Sequence, residues 1–486
     1  MYKIYPFIYS LILSFFFVIQ ATGATLDEQL PIRGLCLQAP QKQRIDDFIK
    51  FIDDVLAPGK INTLILRVDF GFEYTSYPEL RGGNPLSKDD VKKLLDVCRK
   101  HNINLIPHLQ LLGHQSWAKN TGKLLQVYPE FDETPHVSTQ NYSGWPNPDG
   151  LYCKSYCPLH PEVHKVVYSL VDELMDAFEA TDFHGGMDEV FYIANEKCPR
   201  CAGKNPAELF AGEVNKAQKH LAEKNRRLWI WGDRLIDGRE TGLGEWEGAT
   251  NGTAPAIDLI SKDVFICDWH YERADLTSVL FAAKGLNVAS CPWKKPQAAA
   301  EQIADMVRFR KQAGRKMGSK FQGVIQTAWG GCEGFVRSYD NLTPEQENQV
   351  SEAACFKRVL AEIAKLPDSS TTAQSKDTAK VKTITVKDAY EKLKDKFAVL
   401  IDVRNPDEYA EVHAEGAILI PLDSSEFTTK VQEIAEKAGK DVPVYFICRS
   451  GRRSEKACES MINAGFTNVV NIEGGTLEWV KQNLPN

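Results

Sequence analysis

Phe183-His184-Gly185-Gly186-Met187-Asp188-Glu189-Val190 places two adjacent carboxylates directly after an apolar segment and a glycine pair. Within a strand, neighbouring side chains point to opposite faces. At a strand end the chain leaves the pleat, so both carboxylates can turn toward one cleft, and glycine permits the backbone conformations that such a turn needs. One carboxylate held protonated beside one held ionised is what acid-assisted glycosidic cleavage requires. The competing reading of the same residues is a helix N-cap, with Asp188 accepting main-chain hydrogen bonds.

The surrounding chain alternates strand and helix patterns. Residues 61–68, 103–108, 227–231, 264–267, 285–288 and 323–327 are short apolar strand candidates, and 88–101, 163–178 and 207–224 have the spacing of amphipathic helices. Alternation sustained from residue 33 to about 366 predicts a parallel sheet, and a (β/α)8 TIM barrel accounts best for the count. In that fold, polar residues at strand C-termini form the site. Asp69, His108, Asp188, Glu189, Asp233, Asp268 and Trp329 all fall at or near such ends.

The 486-residue chain is too long for one ordinary core. Residues 1–24 read as a signal peptide: Lys3, an apolar run over 8–19, then Ala21-Thr22-Gly23-Ala24. The expectation is a periplasmic or secreted protein with no stable membrane insertion after cleavage. Residues 25–366 would be the barrel, the Ser-, Thr- and Lys-rich stretch 367–380 a linker, and 381–486 a small α/β domain. A net charge of -7 without a basic tract argues against a nucleic-acid partner. No cofactor is assigned. Twelve cysteines are present, and Cys153, Cys157, Cys198 and Cys201 lie in short spacings that fit disulfides, structural thiols or a four-thiolate zinc site. No metal is assigned to the site itself.

Residues 32–345 resemble the family 20 glycoside hydrolases, the β-N-acetylhexosaminidases. The match rests on His184-Gly-Gly-Met-Asp188-Glu189, with Met187 where a second glycine is usual, and on Leu109-Gln-Leu-Leu-Gly113-His114. Weaker matches are Trp231-Gly-Asp233, Asp268-Trp269-His-Tyr271 and Ala328-Trp329. Leu35-Cys-Leu-Gln-Ala-Pro40 lacks the arginine usual at the end of strand one, and together with Asp188-Glu-Val-Phe-Tyr192 this segment resembles the hexosaminidase D branch. The resemblance implies retaining exo-hydrolysis of β-linked N-acetylhexosamine glycans by substrate-assisted catalysis. Glu189 would be the acid and Asp188 the acetamide orienter. Tyr271 would donate to the acetamide oxygen, Trp231, Trp269 and Trp329 would be walls, and His114 and His184 would orient the rest. Asp268 belongs to the same substrate-binding set. The alternatives are a glycan-binding barrel, or one acting on another hexoside, with sulfur transfer by Cys448 as the main activity.

In the small domain, Cys448-Arg-Ser-Gly-Arg-Arg-Ser454 follows an apolar strand and precedes a helix, surroundings that favour a thiolate. The loop also overlaps Cys-x5-Arg phosphatase loops. Asp402-Val-Arg404, Glu408, His413, Gly416-Ala417, Ile420-Pro421 and Gly474-Gly475 resemble a rhodanese domain. This implies Cys448 as a persulfide-carrying nucleophile for a small sulfur donor or acceptor. Arg449 or Arg453 would stabilise the persulfide, and Asp402 with Arg404 would form a structural pair.

Overall fold

The computed structural model describes residues 24–142, 153–367, 381–394, 398–424, 426–438, 442–464, 466 and 468–486. The expected signal peptide and linker lie outside these residues, except for Ala24 and Pro367. The chain divides into two compact units, Met1–Ser369 and Ser370–Asn486.

Among the described residues, eight parallel strands of the first unit close into a barrel: β1 Ile32–Gln38, β2 Thr63–Arg67, β3 Asn104–Leu111, β4 Asp182–Gly186, β5 Arg227–Trp231, β6 Phe265–Asp268, β7 Asn287–Ser290 and β8 Phe321–Thr327. Each strand pairs with its sequence neighbour, and β1 closes onto β8. This is the (β/α)8 arrangement the alternation predicts.

Period-2 alternation sorts the strand residues into two cores. Leu64, Leu66, Leu105, Leu228, Ile230, Ile266, Val288 and Val324 join the layer packed against the helices. Ile65, Ile106, Trp229, Trp231, Phe265, Cys267, Ala289 and Ile325 fill the barrel interior. Trp229 stacks on Phe265 with ring centroids 3.7 Å apart. The interior is therefore a packed plug, and the barrel leaves room for a ligand at the strand C-termini.

The helices Lys88–Lys100, Val163–Ala177 and Pro206–Ala222 match the predicted spans to within two residues. Their starts follow local chemistry. Ser87 and Asp90 form a reciprocal capping box, and Asn205 caps a helix that begins with Pro206.

The second unit carries a five-stranded parallel sheet: β9 Lys382–Ile384, β10 Val399–Asp402, β11 Ile418–Leu419, β12 Val444–Ile447 and β13 Val469–Ile472, in the order β9-β13-β12-β10-β11. No helix among the described residues is long and apolar enough to cross a membrane.

Candidate functional site

Strand β4 stops at Gly186 for a steric reason. Gly186 has φ +66, and a Cβ there would lie 2.0 Å from Gln110 Oε1. The next residues continue in left-handed conformations that non-glycine side chains resist: Met187 at φ 65 and Glu189 at φ 49. Met187 thus occupies a position whose backbone suits glycine. On the neighbouring strand end, Leu112 and His114 have φ 58 and 50, and a Cβ on Gly113 would meet the Asp188 carbonyl at 2.5 Å. Such residues cost on the order of 1–3 kcal/mol each and gather at functional sites. No helix starts at Asp188; the next begins at Pro206, so the N-cap reading does not hold.

The result is a convergence. His114 Nε2 lies 2.9 Å from Glu189 Oε2 and 3.2 Å from Asp188 Oδ2. Gln110 Nε2 donates to Asp188 Oδ1 at 2.9 Å. The main-chain N–H of Glu189 donates to Asp233 Oδ2 at 2.9 Å, which holds the left-handed turn. Burial pushes the Asp188 carboxyl up, but His114 beside it and the Gln110 amide outweigh burial and bring it down to about 2. Asp188 is therefore the ionised member of the pair. Burial opposes a charge on His114; its contacts with Cys153 and Asp188 outweigh burial, and its pKa rises well above that of a free imidazole. Burial keeps Cys153 itself a neutral thiol, which leaves Asp188 as the partner holding the imidazolium.

Above this floor opens a cavity of about 620 Å³, a size suited to a sugar-sized ligand. Trp269, Tyr271, Trp293 and Trp329 line its inner wall, with Trp246 and Trp117 toward the mouth. Trp329 Nε1 donates to the Tyr271 hydroxyl at 2.8 Å, and Trp269 Nε1 donates to Asp233 Oδ1 at 3.2 Å. The Tyr271 hydroxyl keeps its own proton: burial pushes its pKa well up. Arg67 reaches the cavity from the end of β2, with its guanidinium 4.7 Å above the Trp329 ring. Its register partner is Gln38, the last residue of β1. A cation therefore stands one strand over from the β1 end that lacks one.

Three expected site residues are placed elsewhere. His184 is fully buried between His108 and Trp231, outside the cavity, and burial lowers its pKa so that it stays neutral. Trp231 is fully buried in the barrel interior and walls no sugar. Asp268 accepts from Thr277 Oγ1 at 2.8 Å and lies 3.1 Å from His270 Nε2, whose Nδ1 is 2.9 Å from Glu247. That chain ties the Trp246 loop to the β6 end. None of Asp268, His270 and Glu247 lines the cavity.

Sequence reasoning missed Arg67, Gln110, Trp117, Trp246, Trp293 and Cys153. Arg67, Gln110 and Trp293 do follow the strand-end rule and could have been found by it. The cysteine expectation also needs correction. Cys153 Sγ sits 3.1 Å from His114 Nδ1 and 3.7 Å from Glu189 Oε2, inside the site. Cys157, Cys198 and Cys201 cluster separately with Glu133. Asn251 donates its side-chain amide to the carbonyls of Val190 and Phe191, steadying the loop after Glu189.

In the second unit, Cys448 sits at the end of β12 against the N-terminus of the helix Arg452–Asn463. Gly451, with φ 98, donates its N–H to Cys448 Sγ at 3.2 Å, and Ser454 Oγ donates at 3.4 Å. Burial pushes this thiol up, yet Ser454 and the N–H groups of Ser450 and Gly451 bring it below its ordinary value. Arg453 does not stand ready for an anion: it makes a bidentate pair with Glu408 at 2.7 and 2.6 Å. Arg449 is exposed. Asp402 and Arg404 form a buried bidentate pair. Ser454, not an arginine, follows five intervening residues after Cys448, so the phosphatase overlap fails.

Comparison with known proteins assigns a family to each of the two units. The profile of the glycosyl hydrolase family 20 catalytic domain matches residues 32–295, and that of the rhodanese-like domain matches residues 385–482. The chain is 25% identical over 237 residues to the lacto-N-biosidase of Bifidobacterium bifidum, covering 45% of this chain and 19% of that protein. It is 35% identical over 91 residues to thiosulfate sulfurtransferase 16, chloroplastic, of Arabidopsis thaliana, covering 18% of this chain and 76% of that protein. It is similar to a solved β-N-acetylhexosaminidase at 20% identity and a TM-score of 0.49, covering 69% of this chain and 71% of the other.

Proposed function

Because the chain belongs to glycosyl hydrolase family 20 and carries a rhodanese-like domain homologous to thiosulfate sulfurtransferases, we propose that it removes terminal β-linked N-acetylhexosamine by substrate-assisted catalysis and transfers sulfur at Cys448. The observation that carries the first activity is the convergence of ionised Asp188 and of Glu189 on one His114 nitrogen, on the floor of an aromatic cleft.

The chemistry runs in two steps. The substrate's acetamide oxygen attacks the anomeric carbon as the glycosidic C–O bond breaks, and Glu189 gives its proton to the leaving oxygen. Asp188 accepts the acetamide N–H and balances the positive charge that develops on nitrogen. Tyr271, held by Trp329, donates to the acetamide oxygen and fixes the attack angle. Water then opens the oxazolinium ring, losing its proton to Glu189 and restoring the acetamide with retained configuration. Trp269, Trp293 and Trp329 enclose the acetamide side, and Arg67 grips sugar hydroxyls in place of the arginine absent from β1. That substitution removes the motive for reading the barrel as a non-hydrolysing module.

For the second activity, Cys448 takes sulfane sulfur from a donor such as thiosulfate, releases sulfite and passes the sulfur to a nucleophile. Main-chain N–H groups of the loop favour the anionic persulfide. Residues 1–24 support export, and we read the protein as periplasmic or secreted on that composition. Assaying aryl 2-acetamido-2-deoxy-β-hexosides, aryl β-glucosides and thiosulfate with cyanide on one preparation tests both activities.

A further inference from the structure

Glu133, Cys157, Cys198 and Cys201 are all buried, and each offers a ligand atom within 4.8 Å of the others. Cys157 Sγ lies 3.4 Å from Cys201 Sγ and 3.6 Å from Cys198 Sγ. Sulfurs around tetrahedral zinc, with Zn–S of about 2.3 Å, stand about 3.8 Å apart along each edge. The sulfur spacing is therefore close to that of a metal-bound set.

Two further observations point to a bound cation. Glu133 is fully buried; its Oε1 accepts from the Asn195 N–H at 3.0 Å, while its Oε2 has no hydrogen-bond partner. A carboxylate left so, beside three thiols, is unfavourable unless a proton or a cation neutralises it. The loops are also shaped for anionic sulfur. Cys198 begins Cys-Pro-Arg-Cys, a turn that brings the main-chain N–H groups of Arg200 and Cys201 near its Sγ, although burial still holds this thiol above its ordinary value. Cys157 begins Cys-Pro-Leu, and its Sγ receives the Leu159 N–H. Both turns aim main-chain dipoles at a thiolate, as metal-binding cysteine turns do.

We propose that Cys157, Cys198, Cys201 and Glu133 bind one structural zinc ion. Three thiolates select a soft or borderline metal, and the carboxylate fourth ligand favours zinc over cuprous ion. All four positions are filled by protein, so the ion is closed to water and takes no part in hydrolysis. Its placement gives it a purpose. It clamps the loop that follows Glu189 to the segment carrying Cys153, on the two sides of the His114 corner. Binding releases the thiol protons to solvent, with no redox change.

The test uses the full chain purified without chelator. One zinc per chain is expected by elemental analysis, released when a mercurial titrates the thiols and read with a chromogenic zinc indicator. Cys157→Ser and Cys198→Ser should each lower zinc content at least about tenfold; Cys153→Ser should not. Because those variants can misfold, X-ray absorption at the zinc edge of the unmutated protein gives an independent reading, with three sulfur and one oxygen neighbours expected. Zinc-free protein that does not take up added zinc overturns the proposal. So does a protein two daltons lighter with Cys157 and Cys201 joined as a disulfide, or zinc retained in Cys157→Ser.

Discussion

His114 Nε2 stands 2.9 Å from Glu189 Oε2, while the opposite nitrogen of the same ring faces Cys153 Sγ at 3.1 Å. The ring also faces Asp188, which is ionised at any working pH. An imidazole so placed can hold Glu189 by one hydrogen bond without leaving it an unpaired buried acid. The proposed mechanism divides the roles on this corner: Asp188 carries the charge and Glu189 trades the proton.

Glu189→Gln should lower turnover of a natural disaccharide by about 10²–10⁴-fold, the usual worth of a positioned acid. An aryl glycoside with a good leaving group should lose far less, because it departs without a proton. Circular dichroism and the thermal midpoint should stay close to those of the unmutated protein, since the swap is nearly isosteric. Equal turnover on the disaccharide contradicts the assignment.

Asp188 also sets a pH dependence of stability. Its carboxyl is lowered from 3.8 to about 2, so the folded state binds fewer protons than the unfolded state between those values. Its stabilisation is present in full above the unfolded value and is lost as pH falls through the folded one. The stability gap between the unmutated protein and Asp188→Asn, measured by urea unfolding, should narrow from pH 6 toward pH 2. A gap that widens on acidification contradicts the ion pair with His114.

Arg67→Ala should lower kcat/KM on N-acetylhexosaminides about ten- to a hundredfold, a charge-assisted hydrogen bond being worth about 1.5–3 kcal/mol. Arg67→Lys should not restore it, because an ammonium cannot form the planar fork. Unchanged kinetics in both variants would remove Arg67 from the site and reopen the question posed by the bare end of β1.

Much of this was legible in the sequence, for reasons that also mark the limits. Arg227–Trp231 is a strand in both readings because the four apolar residues Leu228 to Trp231, between polar flanks, have one stable packing inside an α/β layer. Asp188 and Glu189 stood out because their chemistry is local. Trp231 and Asp268 end their strands as true cleft residues do, and His184 stands mid-strand in β4; what separates all three from the cleft is burial outside its lining. Trp117 lies in the two-residue strand Ser116–Trp117 and Trp246 in the four-residue helix Gly244–Glu247, both too short for periodicity to encode. Cys153 and Cys157 are four residues apart yet serve different sites, since the turn between them faces His114 on one side and Glu133 on the other. Spacing alone paired them.

Cys448→Ser should abolish sulfur transfer from thiosulfate to cyanide and leave N-acetylhexosaminidase activity unchanged. Glu408→Ala should free Arg453 and shift the donor KM without removing transfer, because the Ser454, Ser450 and Gly451 donors remain on Cys448. Loss of glycosidase activity in Cys448→Ser contradicts independent sites.

Substrate assistance is tested most directly by following hydrolysis of matched β-glycosides, with and without the 2-acetamido group, by proton NMR from the first turnover. The account predicts that the N-acetylated substrate yields the β-anomer first, and that the 2-hydroxy analogue is slower by about 10³-fold or more, the scale of a lost internal nucleophile. First appearance of the α-anomer, or equal cleavage of the two glycosides, would contradict it.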